Sequence, residues 1–486
     1  MGKRILTNAA ALLAVLIVAA SGCAGYSNIE PADTPAQIPE TENKARGQEA
    51  ETEPSSPEGS AAAQETSSDV MYFSDDADFI FVYPLDRTIL SSSLYVTNPY
   101  AKLNLVVQVQ KIENLTAGGK GGKLQQEQCL QENDQAYEPS LRTYEIDNIK
   151  IKEYMTLSRG NPCNIVFERH TVFYNQGCRV EIILSADKDS IISSMEEYFN
   201  YDNQDCGTNP VWDLEKQQDF YQNVVEGRAS GPAQEWNDSF DLIIDSLKIN
   251  DYGTDFSGNR LVVGHNIFKQ DNQFPYQITA AYPELQTNGN NTKGLNDLIV
   301  KDNIDPMISD FEDMIEQTED METVNQSVGY MPSVDYSLFE YEDNFVSLLF
   351  YIYPYTGGAH GMQHFQAINY SFNHNSIIDL EHIFMADFNY LEFLSEYCFE
   401  DLKEKMQIGQ QGLEPEIEWK KSGTAPTKEN FSQVLITKEG PLVNFLPYQV
   451  TPYAAGDFTV TIPYRQFESH VDKQGIAGKI FTLSRQ

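Results

Sequence analysis

The chain is short of positive charge. Its 33 lysines and arginines stand against 72 aspartates and glutamates, a formal net charge of −39 over 486 residues. That balance excludes a general nucleic-acid binder, which needs a basic face for phosphates. It suits long-range attraction of cationic partners, basic wall-degrading enzymes among them, and it equally suits an exported protein that only needs solubility. Catalytic signatures are also missing. There is no Gly-x-Ser-x-Gly, and Ser185-Ala186-Asp187-Lys188 has Ser-x-x-Lys spacing without its partner motifs. Residues 118–123 are glycine- and lysine-rich but lack the spacing of a phosphate-binding loop. Past the N-terminus the longest apolar run, 345–355, falls far short of the ~20 residues that span a bilayer.

What is present begins with an export signal. Lys3 and Arg4 precede a small, apolar stretch that ends in Ala20-Ser21-Gly22-Cys23. This resembles a bacterial lipobox, with alanine where leucine is usual, and the resemblance implies lipidation of Cys23. Two or more acyl chains, at about 0.8 kcal/mol per buried CH₂, make a stable membrane anchor. The expected localisation is therefore the cell membrane, lipid-anchored and facing outward. Residues 23–69 are rich in Glu, Pro, Ser, Thr and Gln and poor in large apolar side chains, so they read as a disordered acidic tether.

Six cysteines are present, one being Cys23. Cys129, Cys163, Cys178 and Cys206 could form two disulfides in any of three connectivities, or remain thiols. The turn Asn175-Gln176-Gly177 puts Cys163 and Cys178 at opposite ends of one strand, an awkward pair. Cys398 shares a helical stripe with Leu391, Leu394 and Leu402, so a buried, inert thiol is expected.

Residues 70–250 read as an N-terminal α+β domain, with strands at 79–84, 103–109, 149–157, 165–174 and 180–184 and a closing helix carrying Phe240, Ile243, Ile244 and Leu247. Its pattern vaguely resembles the PsbP/Mog1-like fold. Residues 260–325 form a small domain whose helix starts at an Asp305 cap with Pro306 in the first turn. Ile308, Phe311, Met314 and Ile315 make its buried stripe. Residues 326–480 form the last domain, with strands at 334–341, 345–355, 363–372 and 376–380, an amphipathic helix at 387–406, and a strand near 458–462. The expected class is α+β: two domains with mostly antiparallel sheets covered by helices on one face.

Three motifs in the last domain are specific. One is Tyr353-x-Tyr355-Thr356-Gly357-Gly358-Ala359-His360-Gly361. The second is Ile378-x-Leu380 leading to Ile383-Phe384. The third is Pro447-Tyr448-x-Val450-x-Pro452-Tyr453 through Ile462-Pro463-Tyr464. Together they resemble the RsiV C-terminal, lysozyme-binding domain family, and the preceding segment resembles the small domain that accompanies it in PdaC- and RsiV-type proteins. The resemblance implies recognition, in a bacterial cell envelope of Gram-positive type, of a lysozyme-like protein or of peptidoglycan. Membrane-spanning and catalytic parts of those families have no counterpart here.

Tyr351, Tyr353 and Tyr355 share one strand face, and with Thr356, Gly357, Gly358, His360 and Gly361 they are the candidate ligand-binding residues. That face is either a platform for sugar or protein, or it is covered by the 387–406 helix. His360 and His364 have the spacing of paired zinc ligands only on a helix. On an extended strand they stand roughly 13 Å apart, so no metal or cofactor is called for. The expectation is a surface lipoprotein that binds or senses a wall-associated ligand, its alternative a peptidoglycan-modifying hydrolase with an unrecognised site.

Overall fold

β-Branched and aromatic residues in period-two runs set the strands. The computed structural model describes residues 69–84, 88–93, 103–112, 137–156, 165–200, 211–212, 214–250, 260–271, 276–287, 291–319, 331–355, 361–405, 414–453 and 457–475. The first strands are β1 (Asp69–Ser74), β2 (Phe79–Pro84), β3 (Thr88–Ser91) and β4 (Leu103–Lys111). A meander follows of β5 (Arg142–Ile146), β6 (Ile149–Met155), β7 (Glu168–Asn175) and β8 (Cys178–Ala186). Gln176 and Gly177, with φ of 48° and 77°, close the β7–β8 hairpin. Such a doubly left-handed turn matches the strand twist.

Helix α1 (Lys188–Ser194) leads to the short ladder of β9 (Phe199–Asn200) and β10 (Val211–Trp212). Then come α2 (Leu214–Val225), α3 (Gly231–Ser246) and β11 (Lys248–Ile249). Helix α3 buries Trp236, Phe240 and Ile243 in the main core, and the Trp236 indole N–H donates to the Leu184 carbonyl at 2.8 Å. Truncating a tryptophan so placed costs about 3–5 kcal/mol.

A long hairpin of β12 (Arg260–Asp271) and β13 (Tyr276–Gln286) precedes α4 (Lys293–Ile299). A π-helical turn, Val300–Ile304, joins α4 directly to α5 (Asp305–Glu319). Asp305 is therefore not a cap: its φ of −58° and ψ of −47° are helical. Pro306 is tolerated inside a helix because the wider turn before it relaxes the i−4 hydrogen-bonding demand that proline cannot meet. Ile308, Phe311 and Ile315 are buried as the stripe predicts.

Next are β14 (Ser333–Glu342), β15 (Phe345–Tyr353), β16 (His364–Ser371) and the two-residue β17 (Ser376–Ile377). The strand expected over 376–380 stops after two residues, and Leu380–His382 turns as a 3-10 helix braced by the Asp379–His382 capping box. Helix α6 (Tyr390–Lys405), helix α7 (Glu414–Gly423), and β18 (Val434–Ile436), β19 (Pro441–Phe445) and β20 (Phe458–Thr461) complete the described chain.

The class is α+β. A 15-stranded sheet runs β11-β2-β1-β12-β13-β14-β3-β4-β8-β7-β6-β5, with β15, β16 and β17 continuing from β14. Strands from 70–250, 260–325 and 326–480 are hydrogen-bonded neighbours in it. Strand β14 is the junction. Its start pairs in parallel with β13, its middle pairs with β3, and its other edge pairs with β15 throughout. A bulge between Leu338 and Glu340 puts Phe339 and Glu340 on the same face. That face carries a separate three-stranded sheet, β18-β19-β20. Leu435 and Leu442 from it pack on Phe339, Leu349 and Phe365. Two amide side chains tie the sheets together. Asn369 Nδ2 donates to the Val434 carbonyl, and the Ala367 N–H donates to Gln433 Oε1, both at 2.8 Å. Helix α6 packs on the far side of the small sheet, through Leu394, Cys398 and Leu402. No helix among the described residues is long and apolar enough to cross a membrane.

Candidate functional site

The candidate tyrosines separate once the strands are assembled. Tyr351 lies against the small apolar cluster beneath β18 and β19, its ring edge-on to Phe365 at 5.5 Å. The cover over this part of the face is therefore the small sheet, not the 387–406 helix. Burial first, then the nearby Asp457 and Asp335 carboxylates, push the Tyr351 hydroxyl pKa far up, against the opposing effect of the Ser337 hydroxyl bonded to it.

Tyr353 and Tyr355 stay half-buried at the end of the strand, rings parallel at 6.1 Å and 5°. The Gly361 N–H donates to the Tyr353 hydroxyl oxygen at 2.7 Å. A β-carbon on Gly361 would lie 2.6 Å from the Tyr353 ring, so glycine lets the backbone slip beneath that ring. Thr356, Gly357, Gly358 and His360 lie outside the described residues, as do Cys23, Cys129, Cys163 and Cys206.

The third sequence motif meets the first here. Tyr453 is hydrogen-bonded to Tyr353, and its ring lies 5.7 Å from that of Tyr448. Tyr448 is 43% exposed and holds φ of 69°, a left-handed conformation that a bulky residue adopts only when its surroundings impose it. The imposing groups are visible. Gln449 accepts from the Leu446 N–H at 3.1 Å and donates to the carbonyls of Gly423 and Asn430 at 2.9 and 3.0 Å. The Trp419 indole N–H donates to the Tyr448 carbonyl at 2.8 Å, leaving that indole 36% exposed. Met331 and Met362, 53% and 46% exposed, flank Tyr355 and Gly361 in sequence or through the Met331 N–H to Tyr355 carbonyl bond of 3.1 Å. The result is a preorganised surface of aromatic faces and hydroxyls, the side-chain chemistry that stacks on sugar rings and anchors protein partners.

Two carboxyls act on the tyrosines of this face, Asp457 on Tyr453 at the surface and Asp335 on the covered Tyr351. Asp335, paired with Tyr351 across β14 and β15, is raised above the usual carboxylate range by burial, partly offset by the Ser92 hydroxyl that donates to it at 3.0 Å. Asp457, at the exposed start of β20, is raised by partial desolvation. Burial likewise lowers the His364 pKa. Among the described residues no group of three or more His, Cys, Asp or Glu side chains could hold a metal ion.

Trp419, Asp335 and Asp457 escape sequence reasoning because each stands alone in its segment. Tyr448 and Tyr453 carry a readable signal, since they alternate with the buried Val450 and two prolines. The cysteines differ in environment. Cys398 is fully buried, and desolvation raises its pKa strongly. Cys178 is a buried free thiol at the head of β8, its Sγ 3.9 Å from the Asp76 carbonyl.

With this geometry in hand, similarity to known proteins falls into two segments. Residues 268–363 match the family model described as Deacetylase PdaC, and residues 381–465 match the one described as Protein of unknown function (DUF3298). The chain is 30% identical over 169 residues to the peptidoglycan-N-acetylmuramic acid deacetylase PdaC of Bacillus subtilis, covering 34% of this chain and 35% of that protein. It thus spans about a third of that relative's length. Among solved structures, a DUF3298 family member from Bacteroides fragilis is 20% identical, covers 44% of this chain and 93% of its own, and has a TM-score of 0.32. Another from Pseudomonas aeruginosa is 16% identical with the same coverages and a TM-score of 0.33. A PsbP from Synechocystis is 15% identical, covers 29% and 91%, and has a TM-score of 0.17. In sum, a PdaC-like segment supplies β14, β15 and the Tyr353–Tyr355 pair, and a DUF3298 segment supplies Trp419, Tyr448, Tyr453 and Asp457.

Proposed function

We propose that this chain is a lipid-anchored, outward-facing protein that binds a wall-associated ligand on the surface formed by Tyr353, Tyr355, Tyr448, Tyr453 and Trp419, and that peptidoglycan glycan is that ligand. One observation carries the reading: Tyr448 is exposed, held left-handed by three side-chain hydrogen bonds from Gln449, and joined through Tyr453 to Tyr353. On this reading the strained, exposed Tyr448 is held ready for contact with a ligand. The name of the PdaC relative, a peptidoglycan deacetylase, supports a wall ligand, and the net charge of −39 would also suit a cationic lysozyme-like protein on the same surface.

The test is retention of the full chain, in detergent, on isolated wall, on N-acetylglucosamine–N-acetylmuramic acid oligosaccharides and on lysozyme. Tyr448→Ala and Tyr453→Ala should each weaken glycan binding at least about tenfold without unfolding the protein. Retention by lysozyme alone would transfer the surface to a protein ligand, and retention by none would end the proposal. Globomycin should block processing at Cys23 if the anchor is lipid.

A second reading has its own observation. Asp335 and Asp457 both act on Tyr351, and desolvation shifts both toward the protonated form that a general acid for wall hydrolysis needs. Turnover of wall fragments that disappears in Asp335→Asn and Asp457→Asn, with binding intact, would favour it. Stoichiometric binding without product would dispose of it.

A further inference from the structure

The second sequence motif, Ile378-x-Leu380, takes no part in the aromatic surface. Instead it walls a groove of about 320 Å³ between the outer edge of β16, the first turn of α6 and residues 428–434. That volume is in the range of small-ligand sites. The floor is apolar, built from Ile378, Leu391, Phe431 and Val434, and Ile377 stands 46% exposed at the lip.

The walls are fixed by hydrogen bonds that do not need a ligand. Asn369 Oδ1 accepts from the Ser347 hydroxyl and the Ile436 N–H, each at 2.8 Å. Its Nδ2 and the Gln433 carboxamide complete the brace between β16 and the small sheet. The mouth is crossed by one ion pair, Lys428 Nζ to Glu381 Oε2 at 2.5 Å, whose side chains are 68% and 47% exposed. Exposed pairs contribute at most about 1 kcal/mol, so this one is readily exchanged.

We infer that this groove is a second binding site, for a short peptide that carries both a free ammonium and a carboxylate. The peptide's ammonium takes Lys428's place on Glu381, its carboxylate takes Glu381's place on Lys428, and its aliphatic part covers the apolar floor. One solvated ion pair becomes two partly desolvated ones, and the apolar contact supplies the net gain. An N-acetylated glycan has no ammonium for Glu381 and brings at most a muramic acid carboxylate to Lys428, which separates this site from the aromatic surface. The inference rests on the wall-binding reading only for the choice of probe, since the peptide stems of the wall have this chemistry.

The experiment is calorimetric titration of the full chain in detergent with the stem tripeptide L-Ala-γ-D-Glu-L-Lys. A control peptide has its amines acetylated and its carboxylates amidated. Saturable binding of the charged peptide is expected, with the blocked peptide, Glu381→Gln and Lys428→Met each weakening it about tenfold or more. Both substitutions are at exposed positions, so folding is retained. Tyr448→Ala should leave the peptide titration unchanged, so loss of glycan binding and loss of peptide binding report on different sites. Absence of saturable heat, equal affinity for charged and blocked peptide, or a peptide response that disappears with Tyr448→Ala would overturn the inference.

Discussion

Replacing Glu340 by glutamine should flatten the pH dependence of stability and make the protein more stable at neutral and alkaline pH. The bulge in β14 turns this carboxyl toward the small sheet, where the residue is 6% exposed. Burial raises its pKa from the ordinary 4.5 to about 8, against the opposing pull of Lys438, whose backbone N–H donates to Glu340 Oε1 at 2.7 Å and whose ammonium stands 3.9 Å away. The folded state therefore keeps a proton that the unfolded chain releases near 4.5. Stability from this group is whole below that pH and is lost as pH rises through about 8. At about 1.4 kcal/mol per unit, the loss between roughly pH 5 and pH 9 is on the order of 4 kcal/mol. Glutamine keeps the volume and the acceptor for the Lys438 N–H without a charge to desolvate. Urea unfolding of both proteins across that range is the assay, read as the difference between them, so that other titrating groups cancel. Parallel stability curves would refute the argument, because they would mean that Glu340 titrates alike in the folded and unfolded chain.

Two further substitutions probe the frame around the sites. Arg169 is 4% exposed and donates to Glu153 at 2.6 Å, to Asp241 at 2.7 Å and to Asn237 at 2.8 Å. Arg169→Met strands the buried Glu153 carboxylate and should cost about 3–5 kcal/mol in urea unfolding, most of it recovered when Glu153→Met is added. Gly440 turns β18 into β19 at φ of +142°, where a β-carbon would lie 2.0 Å from the Ile462 carbonyl oxygen. Gly440→Ala should lower stability by more than about 2 kcal/mol, measured as a lowered Tm, because neither backbone can give way cheaply.

Much of the fold is legible in the sequence wherever one local rule decides it. Runs of β-branched and aromatic residues mark β2, β4 and β8. The 3.6-residue stripe marks α5 and α6, including Cys398 on the buried face of α6. Gln176-Gly177 marks the hairpin between β7 and β8. The parts that escape are those decided by partners far along the chain. Nothing local says that β1 pairs in parallel with β12, about 190 residues later, since a strand's pattern shows which face is buried and not which neighbour lies beside it. The bulge at Phe339 has the same character. Strict alternation would send Glu340 into the main core and Tyr341 outward, and the extra residue reverses both. The π-turn before Pro306 is equally hidden, since Asp-Pro reads as a helix start unless the chain before it is already helical.

The tyrosine face shows most clearly what pattern can and cannot carry. Period two places Tyr351 and Tyr353 on one side of β15, and they are there. Only the small sheet, arriving some 80 residues later, decides that Tyr351 is covered while Tyr353 reaches Tyr453. An aromatic strand is thus a statement about a face, and a site is a statement about what fails to cover it. Here the uncovered part is bounded on one side by Gly361, where a β-carbon would meet the Tyr353 ring, and on the other by Tyr448, which keeps a left-handed φ that glycine or asparagine would adopt with less strain. At Gly361 the constraint is the ring of Tyr353 lying over the backbone, and at Tyr448 it is the Gln449 brace. Both rims are thus fixed by contacts within the chain that leave the aromatic faces between them uncovered.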